Sequence, residues 1–190
     1  MFRFRQPTPD AVASWLADIR DGPFTYPDVG ATRDGRSPAG FNVDHLRTRI
    51  GTGELAFDRA CDAIRRWVMF PQPWTHIQPT DAPIAVGQTV AVTARAFGLW
   101  WLNAARIVYV IDEAEPVRRF GFAYGTLPQH VESGEERFTV ELHPDGGVWY
   151  DLLAFSRPRY WLTRLGYPFA RRLQRRFREE SAAAMKRCAT

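Results

Sequence analysis

The sequence predicts an α+β fold in which a curved antiparallel sheet of about seven strands wraps around one long C-terminal helix. Three observations predict it. The hydrophobic period is helical in the first 70 residues apart from one strand-like run, becomes two from Trp74 to Arg157, and turns helical again after Pro158. The period-two runs are joined by connections too short to cross over to a parallel neighbour, so the strands pair as an antiparallel meander. The apolar stripe of the last helix needs a large apolar surface to cover it, and the sheet is the one available.

Taken in order, "TPDAVASWLADIR" (8–20) places Val12, Trp15, Leu16 and Ile19 on one face behind a Thr or Asp cap, with Pro in the first turn: a short amphipathic helix. "DGPFTYPDVGATRDGRSPAG" has no period and reads as a loop, ordered by Phe24, Tyr26 and Val29. "FNVDHLRTRIG" alternates as a strand. Thr52 or Gly53 then caps the helix "ELAFDRACDAIRRWVMF", expected to bury Leu55, Ala60, Ile64 and Trp67 or Val68 and to end at Pro71.

Six strands follow: "WTHI", "QTVAVTARAF", "NAARIVYVIDE", "VRRFGFAYGTL", "VESGEERFTVELH" and "VWYDLLAFSR". Of the turns between them "HPDGG" is the most specific, because Asp-Gly supplies the positive φ of a tight hairpin. After Pro158, Leu162, Leu165, Phe169, Leu173, Phe177 and Met185 share a helix face ringed by Arg171, Arg172, Arg175, Arg176 and Arg178, and Pro168 kinks this helix or starts its second part.

A chain of 190 residues that is 45% hydrophobic and 14% aromatic can bury a sizeable core and is not disordered. One domain over 1–190 is expected: N-terminal helix and loop (1–40), strand, helix and meander (41–157), and C-terminal helix (158–188). Cys61 and Cys188 stand apart, so neither a disulfide framework nor a thiolate zinc site is indicated, and a cytoplasmic location fits. No apolar run approaches the length of a spanning helix. The net charge of +4 is concentrated: residues 157–187 hold ten Lys or Arg against two Glu. Lys186 is the only lysine, and the bland reading of this basic helix is a solvated face.

The element order, with "RTRIGTGELAFDRA", "FGLWWLNAARIVYV", "RFGFAYGTLPQHVESGEERF", "VWYDLLAFSRP" and "TYPDVGAT", resembles a family of unknown function found in bacteria and plants. That family is placed in the START-like helix-grip superfamily, with the birch-pollen-allergen proteins, START domains and polyketide cyclases. The resemblance covers residues 25–185. It implies the helix-grip fold and a cavity between sheet and helix that commonly takes hydrophobic ligands; it carries over no catalytic residue.

"GTGELA" (51–56) matches the loose dinucleotide fingerprint, but that motif requires a βαβ unit, and Gly51 and Gly53 read instead as turn and cap. In "GTLPQHVESGEE", His130 and Glu132 share a strand face, while Gly134 reads as a bulge that resets the faces of Glu135 and Glu136. The cluster is either a solvated hairpin shoulder or, through His130 and Glu132, a gate at a cavity mouth; its three carboxylates and imidazole could take a hard cation, but no metal is expected, because zinc would want more His or Cys. His45, His76 and His143 do not complete it.

Charges within apolar strands are more informative, since each must face solvent or meet a partner. These are Arg95, Arg106, Glu141 and Asp151, which with Tyr109, Tyr124 and Tyr150 are candidates to orient a ligand, or else ordinary outer-face charges. Asp151 leads, because Trp149, Leu153 and Phe155 share its face. Trp100 and Trp101 are placed at or beside a turn, where they close a cavity mouth, dock a partner or membrane, or pack under the N-terminal helix.

Three functions fit. A non-enzymatic protein would hold a small hydrophobic or amphipathic molecule between sheet and helix, and aromatic strands such as "RFGFAYG" favour it. An enzyme of the polyketide-cyclase or hydratase kind would use Asp151, Glu141 or His130 as general base and a Tyr or Arg to polarise a carbonyl. An interaction module would use the arginine-rich helix. No nucleophile elbow, Walker loop or zincin motif is present, no cofactor is expected, and nucleic acid is a less fitting partner than peripheral membrane contact.

Overall fold

The computed structural model describes residues 2–159 and 167–190. Chain order runs β1 (Phe2–Arg3), α1 (Pro9–Ile19), a 3-10 helix (Ala31–Asp34), β2 (Asn42–Thr52), α2 (Glu54–Arg65), β3 (Thr75–Gln78), β4 (Thr89–Ala96), β5 (Leu99–Glu113), β6 (Arg118–Thr126), β7 (Glu132–Leu142), β8 (Gly147–Pro158) and α3 (Tyr167–Ala189). The expected start of the last helix immediately after Pro158, with Leu162 and Leu165, lies outside the described residues.

The strands form one antiparallel sheet in the order β2-β8-β7-β6-β5-β4-β3, with β1 paired to β5. The meander is as expected, and β2 joins it by pairing with the last strand. β1 is the addition: two residues carry no readable period, and only its partner reveals it.

One face of the sheet, here the inner face, packs against α2 and α3. Ile107, Phe122, Phe138, Val140, Tyr150 and Leu152 meet Phe57, Ala60 and Ile64 of α2 and Met185 of α3, giving the helix-grip arrangement. Each such fully buried side chain contributes about 1.5–3 kcal/mol. On the outer face, Val12, Trp15, Leu16 and Ile19 of α1 cover Ala91, Leu102 and Ala104, while Tyr26 and Ala31 of the following loop pack on Phe155.

Two expectations about α2 change. Leu55 is 64% exposed, because Ala56 and Phe57 are the first-turn residues that face the sheet. The helix stops at Arg65 rather than running to Phe70: Val68 N–H bonds to the Ala63 carbonyl, Trp67 N–H to that of Ile64, and Trp67 takes φ 57° at the position glycine normally holds. Its indole compensates by packing on Phe122 and donating to the Ala82 carbonyl at 2.8 Å.

The β4–β5 hairpin turns at Phe97-Gly98, with φ 55° and 74°. Trp100 and Trp101 therefore lie within β5, beside β1 rather than under α1. Gly134 is not a bulge, since β7 keeps continuous register with β8 from Glu132 to Leu142, Gly134 included. It is glycine because a Cβ there would lie 2.0 Å from the Phe155 carbonyl oxygen of β8.

Candidate functional site

The inner face is filled at one end and open at the other, and side-chain size explains the difference. Where β6, β7 and β8 carry Phe122, Phe138, Tyr150 and Leu152, the space is closed. Farther along, the inner positions are Ala94 and Ala96 of β4, Gly134 of β7, and Ala154 and Ser156 of β8, and a cavity of about 800 Å³ remains between them and α3. Its wall is mostly apolar, with Phe70, Trp74, Val92 and Trp101 facing Leu173 and Phe177 of α3. This size suits a small organic molecule.

Polar groups gather at the β7–β8 side. Asp44 of β2 receives both Nη atoms of Arg171, Nη2 at 2.6 Å, and Nη1 of Arg178 at 2.8 Å, so one carboxylate engages two helix arginines. Gln174, between them on α3, bonds Arg171 through its carbonyl oxygen and donates to Glu132 Oε1 and Ser156 Oγ. Tyr124 donates its hydroxyl to Glu136 Oε2 at 2.6 Å.

Among the described residues, neither Glu132 nor Glu136 has a cationic hydrogen-bond partner of its own. Burial pushes the Glu136 carboxyl up to about 7, against the opposing bond from Tyr124, and Glu132 adds to the rise. Burial likewise raises Glu132, with Asp44 contributing and Gln174 opposing. Burial also pushes His130 down to about 3, so its ring is neutral. Its Nδ1 accepts the Glu132 N–H at 3.0 Å, which leaves the proton on Nε2, a donor with no hydrogen-bond partner among the described residues. The arrangement offers an apolar chamber ending in two under-compensated carboxyls, a phenol and an imidazole N–H.

Of the residues singled out in the sequence, Tyr124, His130, Glu132 and Trp101 line this cavity. Tyr150 is on the inner face but in the filled half, its hydroxyl 2.8 Å from Ser181 Oγ. The others belong to the outer face. Asp151 pairs with His45 Nε2 at 2.7 Å and Arg137 at 2.8 Å, and Glu141 with Arg47 at 2.7 Å and His143 at 3.0 Å. Arg106 donates to the Arg20 carbonyl at the end of α1 and covers the Phe24 ring. Tyr109 bonds Thr32 Oγ1 under the 3-10 helix. Arg95 is exposed, and Trp100 stacks on His76.

Alternation places the outer group correctly relative to one another: Asp151 does share a face with Trp149, Leu153 and Phe155, but that face is covered by the N-terminal loop. Sequence reasoning missed Glu136, Asp44, Gln174, Arg171 and Arg178 as cavity residues. Without the supposed bulge at Gly134, the period of two puts Glu132, Gly134 and Glu136 on one face, and that signal was available. Glu135, on the other face, accepts from Tyr26 Oη, Gly30 N, Thr32 N and Thr32 Oγ1, anchoring the loop. Among the described residues no group of three His, Cys, Asp or Glu is arranged to hold a metal ion.

The chain is similar to proteins across kingdoms. It is 36% identical over 203 residues to a UPF0548 protein of Dictyostelium discoideum, covering 97% of this chain and 94% of that one. It is 37% identical over 200 residues to a UPF0548 protein of Deinococcus radiodurans, covering 100% and 99%. Among solved structures, hypothetical protein jhp0584 from Helicobacter pylori shares the fold at a TM-score of 0.52 and 10% identity, over 82% of this chain and 95% of that one. Residues 25–184 match the model of the domain of unknown function DUF1990, and with relatives this close over the whole length the chain belongs to that family.

Proposed function

We propose that the protein binds a small amphipathic molecule in the cavity between β4–β8 and α3. The apolar body of the ligand lies against Trp74, Val92, Trp101, Leu173 and Phe177, and its head group reaches Glu132 and Glu136. The observation that carries this reading is the pair of carboxyls opening into an apolar chamber while the nearby arginines, Arg171 and Arg178, are held by Asp44. A buried carboxyl in that position is stabilised by a hydrogen-bond donor or a positive charge and repels an anion. The preferred head is therefore an amine or a hydroxyl cluster, not a carboxylate or phosphate.

Of the residues considered as general bases, His130 faces the cavity, while Asp151 and Glu141 do not. Binding accounts for the arrangement without a reaction. Titration of Trp74 and Trp101 fluorescence with an alkylamine and with the fatty acid of equal chain length tests it. The amine is expected to bind at least about tenfold more tightly at pH 8, where Glu136 is ionised. Equal affinity, or preference for the acid, overturns the head-group assignment, and saturation by neither overturns the cavity reading.

A further inference from the structure

The surface around the cavity mouth is built unlike the rest of the molecule. Phe97 occupies the first central position of a two-residue hairpin turn in which both residues have positive φ, a place where Asn or Gly is the favoured choice. A bulky side chain is strained there, yet its ring is 68% exposed and gains little burial in return. Folding alone does not account for it. Phe169 in the first turn of α3 is 61% exposed, with its ring centroid 5.9 Å from that of Phe97 at 89°. Phe2 is 53% exposed against Trp101 of the same hairpin, and Phe4, 81% exposed, stands beside it. Phe2, Phe97 and Trp101 themselves line the mouth, as does Ala170 next to Phe169.

The exposed charges carried by the segments that bear these rings are all arginines. Arg3, Arg5, Arg95 and Arg172 are exposed, and none has an acidic partner among the described residues. Segments 2–9, 93–103 and 167–178, which carry the rings, contain no Asp or Glu.

We propose that this rim docks on the surface of an anionic lipid bilayer, with the cavity mouth facing the membrane. Phenylalanine rings enter the boundary between head groups and acyl chains, while arginines around them reach phosphate. Docking of a second copy through the same patch would bring unpaired arginines against their own symmetry mates, which disfavours that occupant. An opening pressed on a bilayer also gives an apolar ligand a path into the cavity that does not cross water. The proposal concerns the rim and does not depend on which head group the cavity prefers.

The test is co-sedimentation of the full chain with phosphatidylcholine vesicles with and without phosphatidylglycerol. Retention is expected on the anionic vesicles and not on pure phosphatidylcholine, with release as salt shortens the reach of the charges. Phe97→Ser with Phe169→Ser should weaken retention by about tenfold or more, and Arg95→Gln or Arg172→Gln by about fivefold each. All four side chains are exposed, so an unchanged thermal midpoint certifies that the variants fold. No retention on anionic vesicles overturns the proposal, as does retention that the paired Phe substitutions leave intact. A concentration-dependent dimer abolished by those substitutions, without vesicle binding, assigns the patch to a second copy and also overturns it.

Discussion

β7 carries four glutamates in ten residues, and its two faces treat them in opposite ways. On the outer face, Glu135 receives four donors from the N-terminal loop, and Glu141 meets Arg47 and His143. On the inner face, Glu132 has the Gln174 amide and Glu136 the Tyr124 hydroxyl, with no cation among the described residues bonded to either. The residue type and the strand are the same; what differs is whether the carboxyl closes a structural network or opens on a void. Paired carboxylates tie the elements of this fold to one another, whereas the under-compensated ones lie at the cavity in which we propose a ligand binds.

The comparison can be broken by substitution. The largest effect is expected at Asp44, the inner carboxylate that is fully paired: Asp44→Ala removes the carboxylate that Arg171 and Arg178 share and should cost about 3–5 kcal/mol in urea unfolding. Asp151→Asn, on the outer face, leaves Arg137 without its charge partner and should cost about 2–3 kcal/mol, while alkylamine titration is unchanged because the cavity lies behind the sheet. Glu136→Gln should act in the reverse sense, raising stability by on the order of 1–3 kcal/mol at pH 8 while weakening amine binding. Glu141→Gln should change stability by less than about 1 kcal/mol, since its partner Arg47 sits near the surface. A destabilised Glu136→Gln would put that residue in the structural class and dissolve the contrast.

The pH dependence follows from Glu136 and His130, both of which line the cavity. The Glu136 pKa in the fold, about 7, lies above its ordinary 4.5, so its contribution to stability is fully present below 4.5 and is lost as pH rises through 7. His130 is depressed from 6.5 to about 3, so its contribution is present above 6.5 and is lost as pH falls from there toward 3. The two slopes oppose each other between 4.5 and 6.5. Thermal melts should show a broad maximum near that window, flattened on its alkaline side by Glu136→Gln and on its acid side by His130→Gln.

Much of the architecture was legible because it rests on periodicity. Strand spacing, the "HPDGG" turn, where Gly146 takes φ 77°, and the α1 stripe all follow from local chemistry. The candidate site was half legible. Alternation grouped Asp151 with its true neighbours, but no local signal says which face of a strand meets α3 and which meets α1 or the loop at 24–34; that is decided by tertiary packing. Gly134 misled because a glycine inside a strand signals either a bulge or a close approach, and only the position of the Phe155 carbonyl distinguishes them. Trp67 in a left-handed cap and Phe97 in a hairpin turn were equally hidden, because neither is the residue that conformation favours.

The most direct test of the account is the titration of the Glu136 carboxyl followed by carbon-13 NMR, in the empty protein and with a saturating alkylamine. A midpoint near 7 is expected when the cavity is empty, falling by on the order of 1–2 units when the ammonium group is bound. A midpoint in the ordinary carboxylate range in the empty protein, or one that the amine does not move, would contradict it.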